Sequence, residues 1–206
     1  MIRDHLAVNW AAARTSLLLS LLFTVVYKGA SWVTAHRADV GTLYFEWERR
    51  IPLIPWFIIP YMSINLLFVA APFLCSGDGE RRLFARRVAF CILTAGAFFL
   101  AMPLRYAFPR PVVAGSMGWI FRFLHAWDQP YNLFPSLHIA FRTLLADLYW
   151  RHTRGLLRWA SFGWFSLIGF STVFTHQHHV LDVAGGFALA ALAFRLFRNG
   201  VEGRWL

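Results

Sequence analysis

Two short polar segments interrupt an otherwise apolar chain, and they carry two histidines and a carboxylate at chemically useful intervals: Asn132-Leu-Phe-Pro-Ser-Leu-His138 and Ser171-Thr-Val-Phe-Thr-His-Gln-His-His-Val-Leu-Asp182. A helix starting near His178 puts His178 and Asp182 on one face, four positions apart. The carboxylate can then accept the proton of one ring nitrogen and fix the tautomer, leaving the other nitrogen as a nucleophile. A structural His–Asp pair joining two helices has the same spacing. His138 tips the balance toward chemistry. Pro135 suits the first turn of a helix, so Ser136, Leu137 and His138 offer backbone N–H groups at a helix start, which favours an anion such as phosphate. His138 is placed to protonate a departing alkoxide as general acid. Ser136 is either the cap of that helix or a direct contact to substrate. These residue types point to phosphoryl transfer through a covalent histidine.

The elements that must position them are apolar helices. Hydrophobic residues make up 58% of the 206 residues and charged residues only 15%, against nearer a quarter charged in a soluble domain. The apolar residues fall in blocks close to the length of a bilayer crossing: Thr15–Ala35, Ile51–Leu74, Val88–Leu104, Ser136–Trp150, Trp159–Thr175 and Val180–Phe197. The expected fold is an all-α integral membrane protein, a six-transmembrane-helix bundle forming a single domain over residues 1–206.

The net charge of +10 invites a nucleic-acid partner, but its distribution serves topology instead. Arg3, Arg14, Arg81, Arg82, Arg86, Arg87, Arg151, Arg154, Arg158, Arg195, Arg198 and Arg204 all fall on one side of a six-span chain. Arg37, Arg49, Arg50, Arg105, Arg110 and Arg122 fall on the other. Both termini are then cytoplasmic, and both polar segments face the outer, periplasmic side of the cytoplasmic membrane. Trp32, Trp47, Trp56, Trp119, Trp127, Trp150 and Trp159 lie near span ends, where indole prefers the interface. Cys75 and Cys91 do not make an extracellular disulfide framework and are expected as free thiols. Leu17–Tyr27 reads as an uncleaved anchor rather than a signal peptide, because the run Ala11-Ala-Ala13 precedes it.

Two outer loops suggest interfacial helices. Tyr44-Phe-Glu-Trp-Glu-Arg-Arg50 mixes aromatics and charges. Trp119–Trp127 reads first as a surface anchor and second as the frame of a lateral doorway for a lipid. Pro60 predicts a kink in the second span.

The chain resembles the type 2 phosphatidic-acid phosphatase superfamily, whose motifs are K-x6-R-P, P-S-G-H and S-R-x5-H-x3-D. Here stand Arg110-Pro111, Pro135-Ser-Leu-His138 and Ser171-Thr-x5-His178-x3-Asp182, in the same order and at the same intervals. The Asn132–His138 string with Gln177-His178 is most similar to the branch containing inositol phosphorylceramide synthases. Phe45-Glu-Trp-Glu-Arg-Arg-Ile-Pro52 resembles the membrane half of bacterial proteins fused to a dual-specificity phosphatase. The resemblance implies that His178 attacks phosphorus, Asp182 orients it and His138 protonates the leaving group. It further implies that Ser136, the Leu137 amide and Arg110 hold the phosphate oxygens, with no metal and no cofactor.

Three departures bear on phosphate binding. Pro103 occupies the motif-one lysine position, with Arg105 the nearest replacement. Thr172 stands where motif three has arginine, which removes a bidentate ligand, and Leu137 replaces glycine. Arg142, one turn beyond His138, is a candidate compensating cation or, equally, the ion-pair partner of Asp147. His176, His178 and His179 cluster, but adjacent histidines on a helix diverge, and a metal site is not expected. The expected activity is a lipid phosphatase acting on a phosphomonoester or pyrophosphate of a membrane lipid in the bilayer. Transfer to an alcohol acceptor by the same site is the first alternative, and a non-enzymatic transporter the second. Neither headgroup, tail nor oligomeric state is legible.

Overall fold

The computed structural model describes residues 2–198, with side chains from Trp10 onward. Arg204 and the side chain of Arg3, two of the topology-setting arginines, lie outside the described residues. Seven α-helices form among them, α1 Ile2–Ala35, α2 Ile58–Leu74, α3 Asp78–Ala101, α4 Gly118–Trp127, α5 Leu137–His152, α6 Gly155–Phe174 and α7 Val180–Leu196. No strand forms among the described residues; a single bridge pairs Gly41 with Leu104.

Three stretches are long and apolar enough to cross a membrane by length and composition: Trp10–Ala35, Pro55–Leu74 and Asp78–Ala101. α5 and α7, at 16 and 17 residues, fall short of the roughly 20 that a span ordinarily takes. α5 runs through the middle of the bundle, against α2, α3, α6 and α7, and buries Leu137, Ile139, Ala140, Phe141, Leu144 and Leu148 among them. The outer helices expose Leu17, Val25, Leu66, Leu93, Leu156 and Phe170, as lipid-facing surfaces do.

Several boundaries differ from the sequence reading. The second helix begins at Ile58 rather than Ile51, because residues 51–54 run extended and Pro55–Phe57 form a 3₁₀ turn. Pro60 therefore sits in the first turn of α2, where a missing N–H costs nothing, and gives no mid-helix kink. α3 starts ten residues before the apolar block. Its first turn carries Asp78 and Glu80, which suit the positive end of the helix dipole. Cys75 and Cys91 are buried free thiols.

At the end of the bundle remote from the polar segments, Glu80, Asp147, Arg151 and His152 join α3 to α5. Arg151 meets Asp147 at 2.9 Å and also Glu80, and His152 meets Glu80 at 3.0 Å. Arg87 donates to the Phe197 carbonyl at 2.6 Å and ties α3 to the end of α7.

α5 and α7 approach closely because α7 presents Gly185 and Gly186 to the start of α5. A β-carbon at Gly186 would stand 2.5 Å from the Ser136 carbonyl oxygen and 2.7 Å from the Ile139 β-carbon. Small residues permit this approach between helices in a membrane, and it brings the Ser136 amide to the Asp182 carbonyl at 3.0 Å. Gly186→Ala is therefore expected to destabilise the protein by about 1–3 kcal/mol through overpacking. Thermal unfolding in detergent against wild type checks this, and an unchanged midpoint would mean that the helices separate freely.

Candidate active site

The second polar segment is a tight turn between α6 and α7. α6 ends at Phe174, and His176 adopts φ 57°, the left-handed region that reverses the chain. The Thr172 carbonyl then accepts from both Gln177 N at 3.0 Å and His178 N at 2.9 Å. His178 leads directly into α7, whose cap is His179. Asp182, in the first turn of α7 and fully buried, accepts the His179 amide at 2.8 Å on Oδ2. The same oxygen stands 3.5 Å from His178 Nδ1, at the outer edge of hydrogen bonding, where a shift of a few tenths of an ångström closes the pair. His178 Nδ1 and Asp182 Oδ1 have no hydrogen-bond partner among the described residues. With Nδ1 turned to the carboxylate, Nε2 is the nitrogen left for nucleophilic work.

The first polar segment supplies the second histidine. Ser136 caps α5, its Oγ accepting from Ile139 N at 3.3 Å. The Ser136 amide is committed to Asp182, so of the three N–H groups expected to be free, Leu137 and His138 remain, as the unpaired donors of a helix start. The His138 ring stacks on Tyr61, with centroids 4.2 Å apart and an interplanar angle of 13°, and its Nε2 is buried without a partner.

His138 and His178 line one cavity of about 560 Å³. Phe23, Ile64, Phe68, Val69 and Phe141 give it a largely apolar wall, and Phe123, Leu124 and Trp127 of α4 border it. α4 is thus part of the cavity wall and not only a surface anchor. A small polar space of about 20 Å³ adjoins, lined by Tyr106, Arg110, His176, Gln177 and His178 among others. Four residues line both spaces: Tyr27, Tyr61, Asp128 and His178. The junction of an apolar chamber with a polar one is therefore at His178.

Arg110 reaches this junction, with its terminal nitrogens donating to the carbonyls of His125 at 3.0 Å and Asp128 at 2.6 Å. Burial lowers its pKa from the ordinary guanidinium value. Asp128 accepts from the Tyr27 hydroxyl at 3.1 Å. Burial raises its carboxyl pKa above the ordinary range, although the Tyr27 hydrogen bond opposes the shift.

The other expected phosphate ligands lie elsewhere. Arg105 is exposed and lines neither space. Arg142 donates through Nε to the Phe165 carbonyl at 2.6 Å and faces the Phe187 ring at 5.7 Å, lining neither space. Its expected partner Asp147 instead pairs with Arg151, because both sit on the next turns of α5 toward the far end of the bundle. The Thr172 hydroxyl donates to the Gly169 carbonyl at 2.8 Å and is fully buried, so this residue serves the site through its carbonyl under His178.

The three clustered histidines diverge. His176 Nε2 lies 3.1 Å from the Ile51 carbonyl, and burial lowers its pKa. His179 turns away from His178 into a closed pocket, where Nδ1 meets Glu48 Oε2 at 2.9 Å and Nε2 accepts from Ala107 N at 3.2 Å. Tyr106 stacks on the His179 ring at 4.4 Å and Phe108 meets it edge-on at 5.2 Å. Glu48 belongs to a 3₁₀ turn, Glu46–Arg50, within the run expected to be an interfacial helix. Its Oε1 accepts from Phe45 N at 3.0 Å and its Oε2 also from Val180 N at 3.2 Å. One buried carboxylate thus binds the outer loop to the start of α7.

The sequence reading missed Glu48, Asp128 and Tyr61. Only Glu48 carried a signal, in the string Phe45–Pro52. The chain matches no curated protein and no solved structure. A family model described as the PAP2 superfamily matches residues 5–196, nearly the whole helical bundle with both polar segments, and the chain belongs to that superfamily.

Proposed function

We propose that the protein is a membrane lipid phosphatase that hydrolyses a phosphomonoester or pyrophosphate of a lipid through a phosphohistidine. The observation that carries this reading is a cavity whose largely apolar wall also holds His138 and His178. It suits a substrate with a hydrocarbon tail and a phosphate head. In the first step His178 Nε2 attacks phosphorus, the bond from phosphorus to the lipid oxygen breaks, and His138 gives its proton to the departing alkoxide. In the second, water attacks the phosphohistidine and passes a proton to His138. The N–P bond breaks and phosphate leaves. Asp182 orients His178 throughout, while Arg110 and the Leu137 amide hold phosphate oxygens. None of these roles calls for a metal or cofactor.

We read six of the helices as crossing the membrane; on that reading the arginine distribution supports cytoplasmic termini and a site on the outer face. Exposed Trp32, Trp47, Trp56 and Trp119 agree with that arrangement.

Asp128 favours a second reading. A carboxyl at the junction can accept a hydrogen bond from an alcohol, and an alcohol in place of water makes the reaction a phosphotransfer. The test is phosphate release by the detergent-purified protein from a panel of lipid phosphates with EDTA present, wild type against His178→Ala. Release that persists in EDTA and vanishes with His178 is the expected result. Folded protein that releases nothing, yet moves label from a lipid donor to an alcohol, selects the second reading. Release that needs a divalent ion contradicts the mechanism.

A further inference from the structure

We propose that Lys28 supplies the substrate-binding cation that this chain's motif positions lack; the inference rests on the lipid phosphate reading. Two family cations are replaced here, at Pro103 and Thr172. The sequence offers Arg105 and Arg142 as substitutes, but neither lines the cavity. Lys28 does. Apart from the histidines it is the only basic residue on that wall among the described residues.

No side chain forms an ion pair with Lys28 among the described residues. Nζ donates to the Trp127 carbonyl and lies 4.4 Å over the Trp127 ring. A carbonyl and an aromatic face hold an ammonium without neutralising it. The Asp128 carboxylate attracts Lys28 from beyond ion-pair distance, so the ammonium keeps donor capacity for an anion in the cavity.

The rest of α1 supports the same orientation. Ser20, Thr24, Tyr27 and Lys28 line the cavity at the four- and three-residue spacing of one helix face, and Ser31, one turn on, meets Gln129 at 3.3 Å. A helix that faced only lipid would carry no such stripe. Asn132, six residues before His138, donates to the Tyr27 carbonyl at 2.7 Å, so the turn bearing Lys28 is fastened to the segment that leads to His138. Lys28 therefore approaches the headgroup from α1, while Arg110 approaches from the far side of the His178 junction. The ligand it selects is a lipid bearing a phosphate anion, seated tail-down between α1 and α2.

The test uses full-length protein carrying His178→Ala, which cannot turn over, and a non-hydrolysable lipid phosphonate beside the neutral alcohol of the same tail. Calorimetric titration in detergent is expected to show that Lys28→Met weakens phosphonate binding about tenfold or more, as loss of one charge-assisted contact does. The alcohol's affinity stays unchanged, and Lys28→Arg restores phosphonate binding to within about threefold. Equal phosphonate affinity with Lys28→Met overturns the role of Lys28 and leaves the lipid phosphatase reading standing. Equal loss for phosphonate and alcohol also overturns it, since Lys28 then serves only to hold α1 against α4. Phosphonate that fails to bind folded protein retaining Lys28 removes both readings together.

Discussion

His178→Ala is expected to abolish turnover, and Asp182→Asn to lower it by about 10⁴-fold while leaving the fold in place. The first effect is absolute because no other nitrogen can take the phosphoryl group. His176 faces the Ile51 carbonyl, and His179 is closed in by Glu48 and the Ala107 amide. His138 lines the same cavity, but it is needed as the acid. The second effect separates charge from structure. Asp182 Oδ2 caps the His179 amide at 2.8 Å, and an asparagine oxygen can keep that bond. What asparagine cannot do is favour the Nδ1-protonated tautomer of His178 or steady the ring as charge develops, a loss of about 10⁴ in a Ser-His-Asp triad. Turnover numbers and melting midpoints of the two variants check both statements. Asp182→Asn with near-wild-type turnover would reduce Asp182 to a helix cap.

Glu48→Ala has the largest expected effect on stability, a loss of about 3–5 kcal/mol. Its carboxylate serves three donors at once: His179 Nδ1 at 2.9 Å, Val180 N at 3.2 Å and Phe45 N at 3.0 Å. Glu48 is 3% exposed and His179 fully buried, so water cannot readily replace the missing oxygen atoms. Each orphaned buried donor costs about 1–3 kcal/mol. Because Val180 opens α7 two residues after His178, turnover is expected to fall with stability. Glu48→Gln keeps one acceptor oxygen and should fall between wild type and alanine. Denaturant unfolding in detergent measures the series, and an alanine variant as stable as wild type would mean that the outer loop is dispensable.

The sequence made the chemistry more legible than its supports. His138, His178 and Asp182 stand out because polar groups in an apolar chain are few, and their intervals match a family pattern. The start of each long helix could be read to within a few residues wherever the apolar block met a turn, as at Leu137 and Val180. Prolines misled at α2, where Pro52 and Pro55 delay the helix and Pro60 falls in its first turn. The cations misled for another reason. Arg105 and Arg142 lie close to the motifs along the chain, whereas phosphate binding depends on closeness in space. Lys28, more than a hundred residues from His138, lines the same cavity. Glu48 was equally remote from His179, and an acid among aromatics and arginines resembles a surface residue until its partner is known.

The central claim is that phosphorus is carried on His178. The most direct measurement is an alkaline quench of protein turning over a phosphorus-labelled lipid, followed by peptide mass spectrometry, since a phosphohistidine is acid-labile and survives base. The label is predicted on the peptide containing His178. It should be absent in His178→Ala and should accumulate when the second step is slowed. Label on another side chain, or steady turnover with His178 never labelled, would contradict the mechanism.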